Sequence, residues 1–337
     1  MRDDAVRDAV SADPRPATPS EFAPGGPRNA DLPLTPQPSP GRASVAFDLP
    51  GVFVGTAEYG EGPTGCTVVH LPAGARTAVD ARGGAVGMSG GYDFNHAICL
   101  AGGSVYGLAA AAGVSDELLA RRDNRTKWDE LQLVSGAVIY DFSCRDTAVY
   151  PDAELGRAAL RNAVEGAFPV GRCGAGRTAS AGKVDFGRAE FAGQGAAFGT
   201  FGEAKVLVAT VVNSVGAVID RQGRVVRGNY HADLGERRHP SADYAAAIGD
   251  GAPSVMGNTT LTVMITNVRL TDVELLQVGR QVHSSMHRGI QPFHTLTDGD
   301  TMFAMTTDEV ELTGVKPTGL GTLASEVAWD AILSAAE

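Results

Sequence analysis

No apolar run in the 337-residue sequence approaches the roughly 20 residues that a membrane-crossing helix needs. The N-terminus has no apolar segment either. Met1-Arg2-Asp3-Asp4 runs straight into acidic and Pro-rich sequence, so no secretory leader is expected. Positive charge is in deficit: 28 Lys and Arg stand against 39 Asp and Glu, a net charge of -11. That balance argues against a nucleic-acid or anionic-membrane surface. Cysteine is scarce, and Cys66, Cys99, Cys144 and Cys173 form no C-x-x-C pair. They read as buried free thiols in a reducing cytoplasm. No internal repeat is found.

What is present is a chain 43% hydrophobic, enough for one large domain or two ordinary ones. Residues 1–43 hold nine of the 18 prolines and little that could form a core, so a disordered or loosely attached arm is expected there. Order is expected from Ala43-Ser44-Val45-Ala46-Phe47 onward. Strands are predicted at Val52–Gly55, Cys66–His70, Ala137–Phe142, Val206–Asn213, Thr260–Asn267 and Thr301–Thr306, with a hairpin over Val215–Val226. Helices are predicted over Ser104–Arg122, Trp128–Leu133, Ala153–Val164 and Thr322–Ala335, and one from the capping box Thr271-Asp272-Val273-Glu274 to Gly289. His239–Ser254 reads as a surface loop. Residues 82–93 are too glycine-dense for a regular element and suit close backbone approach. Strands arriving in runs point to a layered α/β sandwich rather than an alternating parallel sheet.

The chemistry concentrates at Gly257-Asn258-Thr259-Thr260-Leu261. From Thr260 the segment alternates, with Leu261, Val263 and Ile265 on one face of a half-buried strand. If the Asn258–Thr259 bond is cut, Thr259 carries a hydroxyl and a free amine on adjacent carbons. An N-terminal amine is a recognised activator of a weak threonine nucleophile. With a pKa of about 8 it is partly neutral at pH 7, where an ordinary lysine is not. The alternatives are a Thr-rich strand after a turn, or a glycosylation sequon at Asn258, which the cytoplasmic cysteine pattern disfavours.

Other fragments are weaker. Gly87-Met88-Ser89-Gly90-Gly91 matches a nucleophile elbow but lacks the hydrophobic strand before it. Gly174–Lys183 resembles a phosphate loop but has Arg177 and Val184 where Gly and Ser or Thr are required. His283 and His287, with His294 beyond, invite a zinc reading, yet Ser284 replaces the catalytic Glu. Histidines near a helix C-terminus are equally explained by the macrodipole. Asp298-Gly299-Asp300 is a plain turn, a weak cation site, or a carboxylate pair able to hold a lysine ammonium or orient an amine.

In order and content, these pieces resemble the N-terminal-nucleophile hydrolase family of β-peptidyl aminopeptidases and L-aminopeptidase/D-esterases. The matching stretches include Gly90-Gly91-Tyr92-Asp93-Phe94-Asn95-His96, Val138–Phe142, Ala179–Asp185, Gly257–Thr260 and Val282–Thr295. The resemblance runs from about residue 47 to the C-terminus. It implies a four-layer α/β/β/α sandwich that cuts itself between Asn258 and Thr259, leaving associated chains of 258 and 79 residues from a single domain spanning 44–337. It implies Thr259 as nucleophile, Lys183 as its charged neighbour, Asn213 with Tyr140 at the oxyanion, and Asp298 and Asp300 as the acidic pair. Tyr92 and Asn95 would touch substrate. No metal or cofactor is implied, and a cytoplasmic homotetramer is. Thr with Asp/Asp matches the branch that cuts linear 6-aminohexanoate (nylon-6-type) oligomers internally. Removal of N-terminal residues from short peptides is the alternative within the family. Lys183 is expected to be held by Asp298 and Asp300.

Overall fold

The computed structural model describes residues 26–248 and 257–337. Residues 1–25 of the expected arm and 249–254 of the expected loop lie outside the described residues. The main strands are β1 (Phe53–Tyr59), β2 (Thr64–Ala81), β3 (Phe94–Ala101), β4 (Val134–Val138), β5 (Gln194–Phe201), β6 (Ala204–Asn213), β7 (Thr259–Val268) and β8 (Thr301–Val310). The helices are α1 (Ala109–Arg121), α2 (Ala153–Arg161), α3 (Pro240–Ala247), α4 (Asp272–Ser285) and α5 (Pro317–Ala336).

The long strand β2 organises the sandwich. Its pairing with β3 shifts register between His70 and Ala75, and the bend lets one strand serve two sheets. The first half lies between β1 and β3. The second half pairs antiparallel with β8, from Thr301 opposite Ala81 to Thr306 opposite Arg76. Sheet I thus runs β5-β6-β7-β8-β2, with β7 and β8 parallel and the other neighbours antiparallel. Sheet II runs β1-β2-β3-β4.

Period-two alternation then sorts the side chains into three apolar layers. Leu207, Ala209 and Val211 of β6 and Leu261, Val263 and Ile265 of β7 pack with Val69, Ile98, Leu100 and Ile139 between the sheets. Val206 and Val208 of β6, with Met264 of β7, face the other way, onto Leu275 and Val282 of α4 and Ala328 and Ile332 of α5. Val68, Cys99 and Ala101 meet Val114 of α1 and Leu155 of α2. The order is helices, sheet, sheet, helices. Each large aliphatic side chain sealed this way contributes about 1.5–3 kcal/mol.

Several elements differ from expectation. Strand β7 is buried on both faces, not one, because α4 and α5 cover its threonine side. Trp128–Glu130 is only a 3₁₀ turn, since six residues cannot sustain a helix without burial and Val134 is taken into β4. Strand β4 ends at Val138 because Asp141 collects Thr64 Oγ1, Thr178 Oγ1, Gly103 N–H and Arg145, which pulls the chain out of the sheet. Part of the predicted surface loop is α3, with Pro240 in its first turn. Residues 26–43 are docked rather than loose: Leu32 and Leu34 pack on the α1–α2 layer and Gln37–Pro38 pairs with β1. Among the described residues no helix is long and apolar enough to cross a membrane.

Candidate active site

The site lies at the end of the inter-sheet layer, where β6 stops and β7 begins. Antiparallel register places Asn213 directly opposite Thr259. Parallel pairing of Leu261 with Thr301 brings the turn before β8 alongside, and Asn258 bridges to Asp298. Thr259 is on the same face as Leu261 and Val263, so its side chain sits at the edge of the inter-sheet core, 4% exposed.

In the continuous chain, the Thr259 hydroxyl donates to the carbonyl of Asn258, the carbonyl it would have to attack. That same oxygen accepts the Gly299 N–H at 2.8 Å. Gly299 has to be glycine here, since a Cβ would stand 2.6 Å from Thr259 Oγ1 and 2.8 Å from the Ala85 carbonyl. The glycine-dense run does make the close approach expected of it. Arg82 N–H donates to the Asp300 carbonyl at 3.0 Å, Gly84 N–H to that of Thr295 at 3.2 Å, and Ala85 N–H to that of Asp298 at 2.8 Å.

Lys183 extends from the turn after Ser180–Ala181 and is buried, with 2% exposure. Its Nζ donates to the Asn213 carbonyl at 3.0 Å and to Asn213 Oδ1 at 2.9 Å. The expectation that Asp298 and Asp300 hold Lys183 is therefore corrected: Asn213 holds it. Both oxygens of Asp300 are already engaged, Oδ1 with Thr260 N–H at 2.7 Å and Oδ2 with His294. Asp298 Oδ2 accepts the Thr295 N–H and hydroxyl at 3.1 and 2.6 Å, while its buried Oδ1 has no hydrogen-bond partner among the described residues. Burial pushes Lys183 down to about 8, against the opposing charges of Cys144, Asp298 and Asp141. Burial, then the neighbouring Asp300, pushes Asp298 up to about 6.

Asn213 Nδ2 donates to the Tyr140 carbonyl at 2.9 Å, and its Oδ1 also accepts the Ser180 N–H at 3.1 Å. The Tyr140 ring lies against Gly257 and edge-on to Phe142. It forms one wall of a cavity of about 360 Å³, bounded by Ala85, Val86, Val105, Val138 and Thr297, which opens onto Thr259. No charged side chain is among the described residues lining it.

The structure thus brings Thr259, Lys183, Asn213, Tyr140, Asp298 and Asp300 together. It does not bring Tyr92 and Asn95 to them. Tyr92 is 44% exposed, and buried Asn95 clasps its own loop, donating to the Tyr92 carbonyl at 2.9 Å and accepting from Ser135 Oγ at 2.7 Å. His283 pairs with Asp80 and His294 with Asp300. The Gly299 N–H and the His294 contact were missed from sequence: a backbone donor leaves no residue signature, and the histidines were weighed only as metal ligands or as helix-end charges.

The sequence matches the model of Peptidase family S58 over residues 45–337. It is 60% identical over 339 residues to a 6-aminohexanoate-oligomer endohydrolase of Paenarthrobacter ureafaciens, covering 97% of this chain and 95% of that protein. Among solved structures, the fold is similar to the L-aminopeptidase D-Ala-esterase/amidase of Ochrobactrum anthropi, described as a variant of the Ntn-hydrolase fold, with a TM-score of 0.59, 17% identity, and 92% and 89% of the two chains covered. A Burkholderia sp. β-aminopeptidase gives the same TM-score at 18% identity, covering 89% of this chain and 88% of that one. The α/β/β/α sandwich is thus an Ntn-hydrolase fold, and the chain belongs to Peptidase family S58.

Proposed function

We propose that the chain is a self-processing amidohydrolase that cuts internal amide bonds of linear 6-aminohexanoate oligomers, with Thr259 as nucleophile. The observation that carries this reading is the Thr259 hydroxyl seated on its own upstream carbonyl at the mouth of a cavity whose described lining carries no charge. In the precursor, Oγ1 attacks the Asn258 carbonyl carbon, with Gly299 N–H on the developing oxyanion. The C–N bond breaks, its nitrogen takes a proton to become the Thr259 amine, and water opens the ester. In the mature enzyme that amine takes the hydroxyl proton as Oγ1 attacks a substrate amide. The leaving amine is protonated in turn, and water hydrolyses the acyl-threonine. Asn213 and Tyr140 support the oxyanion in this step. Lys183, next to the new terminus, disfavours a second positive charge there and so keeps the amine unprotonated and free to accept the hydroxyl proton.

The absence of charge among the described lining residues favours internal cutting. An enzyme that removes N-terminal residues must accommodate a substrate ammonium beside the scissile bond, and an ammonium without a counter-charge is costly to bury. A polymethylene segment matches the Val86, Val105 and Val138 walls instead. The processed units form a cytoplasmic homotetramer under this reading, which sizing of the purified protein checks.

A denaturing gel with N-terminal sequencing should show two chains, the smaller beginning Thr-Thr-Leu, and Thr259→Ala should leave one inactive chain. An N-acetylated oligomer should be cut internally. Full activity from an uncut chain overturns the nucleophile, and stepwise trimming of free-amine oligomers with the acetylated one untouched overturns the internal mode.

A further inference from the structure

Asp300 belongs to a buried line of polar groups lying largely between sheet I and α4. Its Oδ1 grips Thr260 N–H at 2.7 Å, one residue beyond the nucleophile. Its Oδ2 accepts the His294 N–H at 2.9 Å and stands 3.0 Å from His294 Nδ1. A ring nitrogen that close to a carboxylate oxygen carries a hydrogen toward it. The His294 ring stacks on Phe293 at 3.9 Å and meets His283 edge-on at 4.3 Å. His283 is in turn tied through Nδ1 to Asp80 at 2.9 Å, and Asp80 to Arg82 at 2.6 Å. His294 also adopts the left-handed region, φ +58°, which a non-glycine side chain keeps only where its surroundings dictate it.

We infer that His294 is a positioning residue for the Thr259 nucleophile, acting through Asp300 and the Thr260 amide. Before the chain is cut, Thr259 is held from both sides, since Asn258 is fixed by Gly299 N–H and by its own N–H on the Thr297 carbonyl at 3.3 Å. Cutting removes the upstream tether. What then orients the new terminus is its pairing with Asn213 and the Asp300 grip on Thr260. Losing His294 frees Asp300 on one side, and the effect falls on turnover by the mature enzyme more than on self-cleavage.

The inference rests on the proposed Thr259 chemistry, and two variants test it. Glycine and asparagine both tolerate the left-handed backbone. His294→Gly removes the side-chain donor, whereas His294→Asn keeps an N–H donor. His294→Gly should lower kcat on the oligomer by about 10²-fold with little change in KM, the scale of a small misplacement of a reacting group. His294→Asn should recover most of that loss, and both variants should still process themselves. A glycine variant with wild-type kcat, or an asparagine variant as slow as glycine, overturns the inference. So does a loss confined to KM. A wild-type chain that processes itself but cuts no oligoamide sinks the substrate reading alone; self-cleavage then reports on His294, and stalling of His294→Gly in processing counts against a role confined to the mature site. A wild-type chain that does neither overturns both.

Discussion

At the scale of single residues, Lys183 is a site group whose chemistry the fold alters strongly. Burial brings it from its ordinary 10.5 to about 8, so between those two values the folded chain holds fewer protons than the unfolded one. Stability therefore rises with pH across that window, and below about 8 the full penalty, about 3 kcal/mol, is in force. Asp298 works in the opposite sense. It is pushed from 3.8 up to about 6, so the folded chain holds the extra proton, and stability falls as pH rises through that window. Near neutrality the fold carries both penalties. Thermal unfolding of wild type and Lys183→Met across pH 7–11 isolates the lysine: wild type should gain on the variant as pH rises through 8 to 10.5. Parallel curves would show that Lys183 keeps an ordinary pKa. These residues were legible because type and spacing mark them: a Thr pair after Gly-Asn, a D-x-D turn, a lysine among small residues. How they are joined was not. That Asn213 rather than the acidic pair holds Lys183 is a matter of tertiary geometry, which sets Nζ against both oxygens of Asn213 while Asp300 and Asp298 Oδ2 are engaged by other donors.

At the scale of elements, the strands read correctly are those whose apolar residues advertise themselves, such as Val206–Asn213 within β6. Strand β5, Gln-Gly-Ala-Ala-Phe-Gly-Thr-Phe, was not predicted, and its glycines are the reason. A Cβ on Gly195 would stand 2.1 Å from the Ala331 carbonyl and 2.4 Å from the Ala335 N–H nitrogen. Helix α5 lies directly on that strand backbone, so close packing demanded the residue that erases the strand signal. Strand β3 was also not predicted, although it holds no glycine: its Ala-Ile-Cys-Leu-Ala run is short and follows closely on the glycine-dense segment. Gly195→Ala must push α5 away and should cost about 1–3 kcal/mol, the range for overpacking a filled interior. Chemical denaturation measures this, with Gly60→Ala as the control, a glycine with nothing within 4 Å of the added Cβ and no positive φ. Equal losses for the two would mean that the α5 contact carries no special weight.

At the scale of the whole molecule, the position of the proposed cut decides how the two chains stay together. In sheet I the order β5-β6-β7-β8-β2 places two strands of residues 259–337 between strands of residues 1–258 on either side. The register joins β7 to β6 over eight residue pairs and β8 to β2 over six. Helices α4 and α5, both from the C-terminal chain, then close over β6 as well as over their own strands. The small chain is therefore an interior part of one sheet rather than an attached module, and the core it forms with α4 and α5 is shared with Val206, Val208, Val212 and Val218 of the large chain. Severing Asn258–Thr259 should leave the two chains inseparable by native sizing or high salt, and separable only at denaturant concentrations that unfold both in one transition. The isolated 79-residue chain should show no cooperative unfolding, because β7 and β8 alone expose the faces that β6, β2 and the second sheet cover. Release of the small chain with the large one still folded, followed by circular dichroism or by native mass spectrometry, would contradict the interleaved arrangement. It would also leave the proposed nucleophile Thr259 without Asn213 and Lys183, which belong to the other chain, so activity should be lost in that same transition.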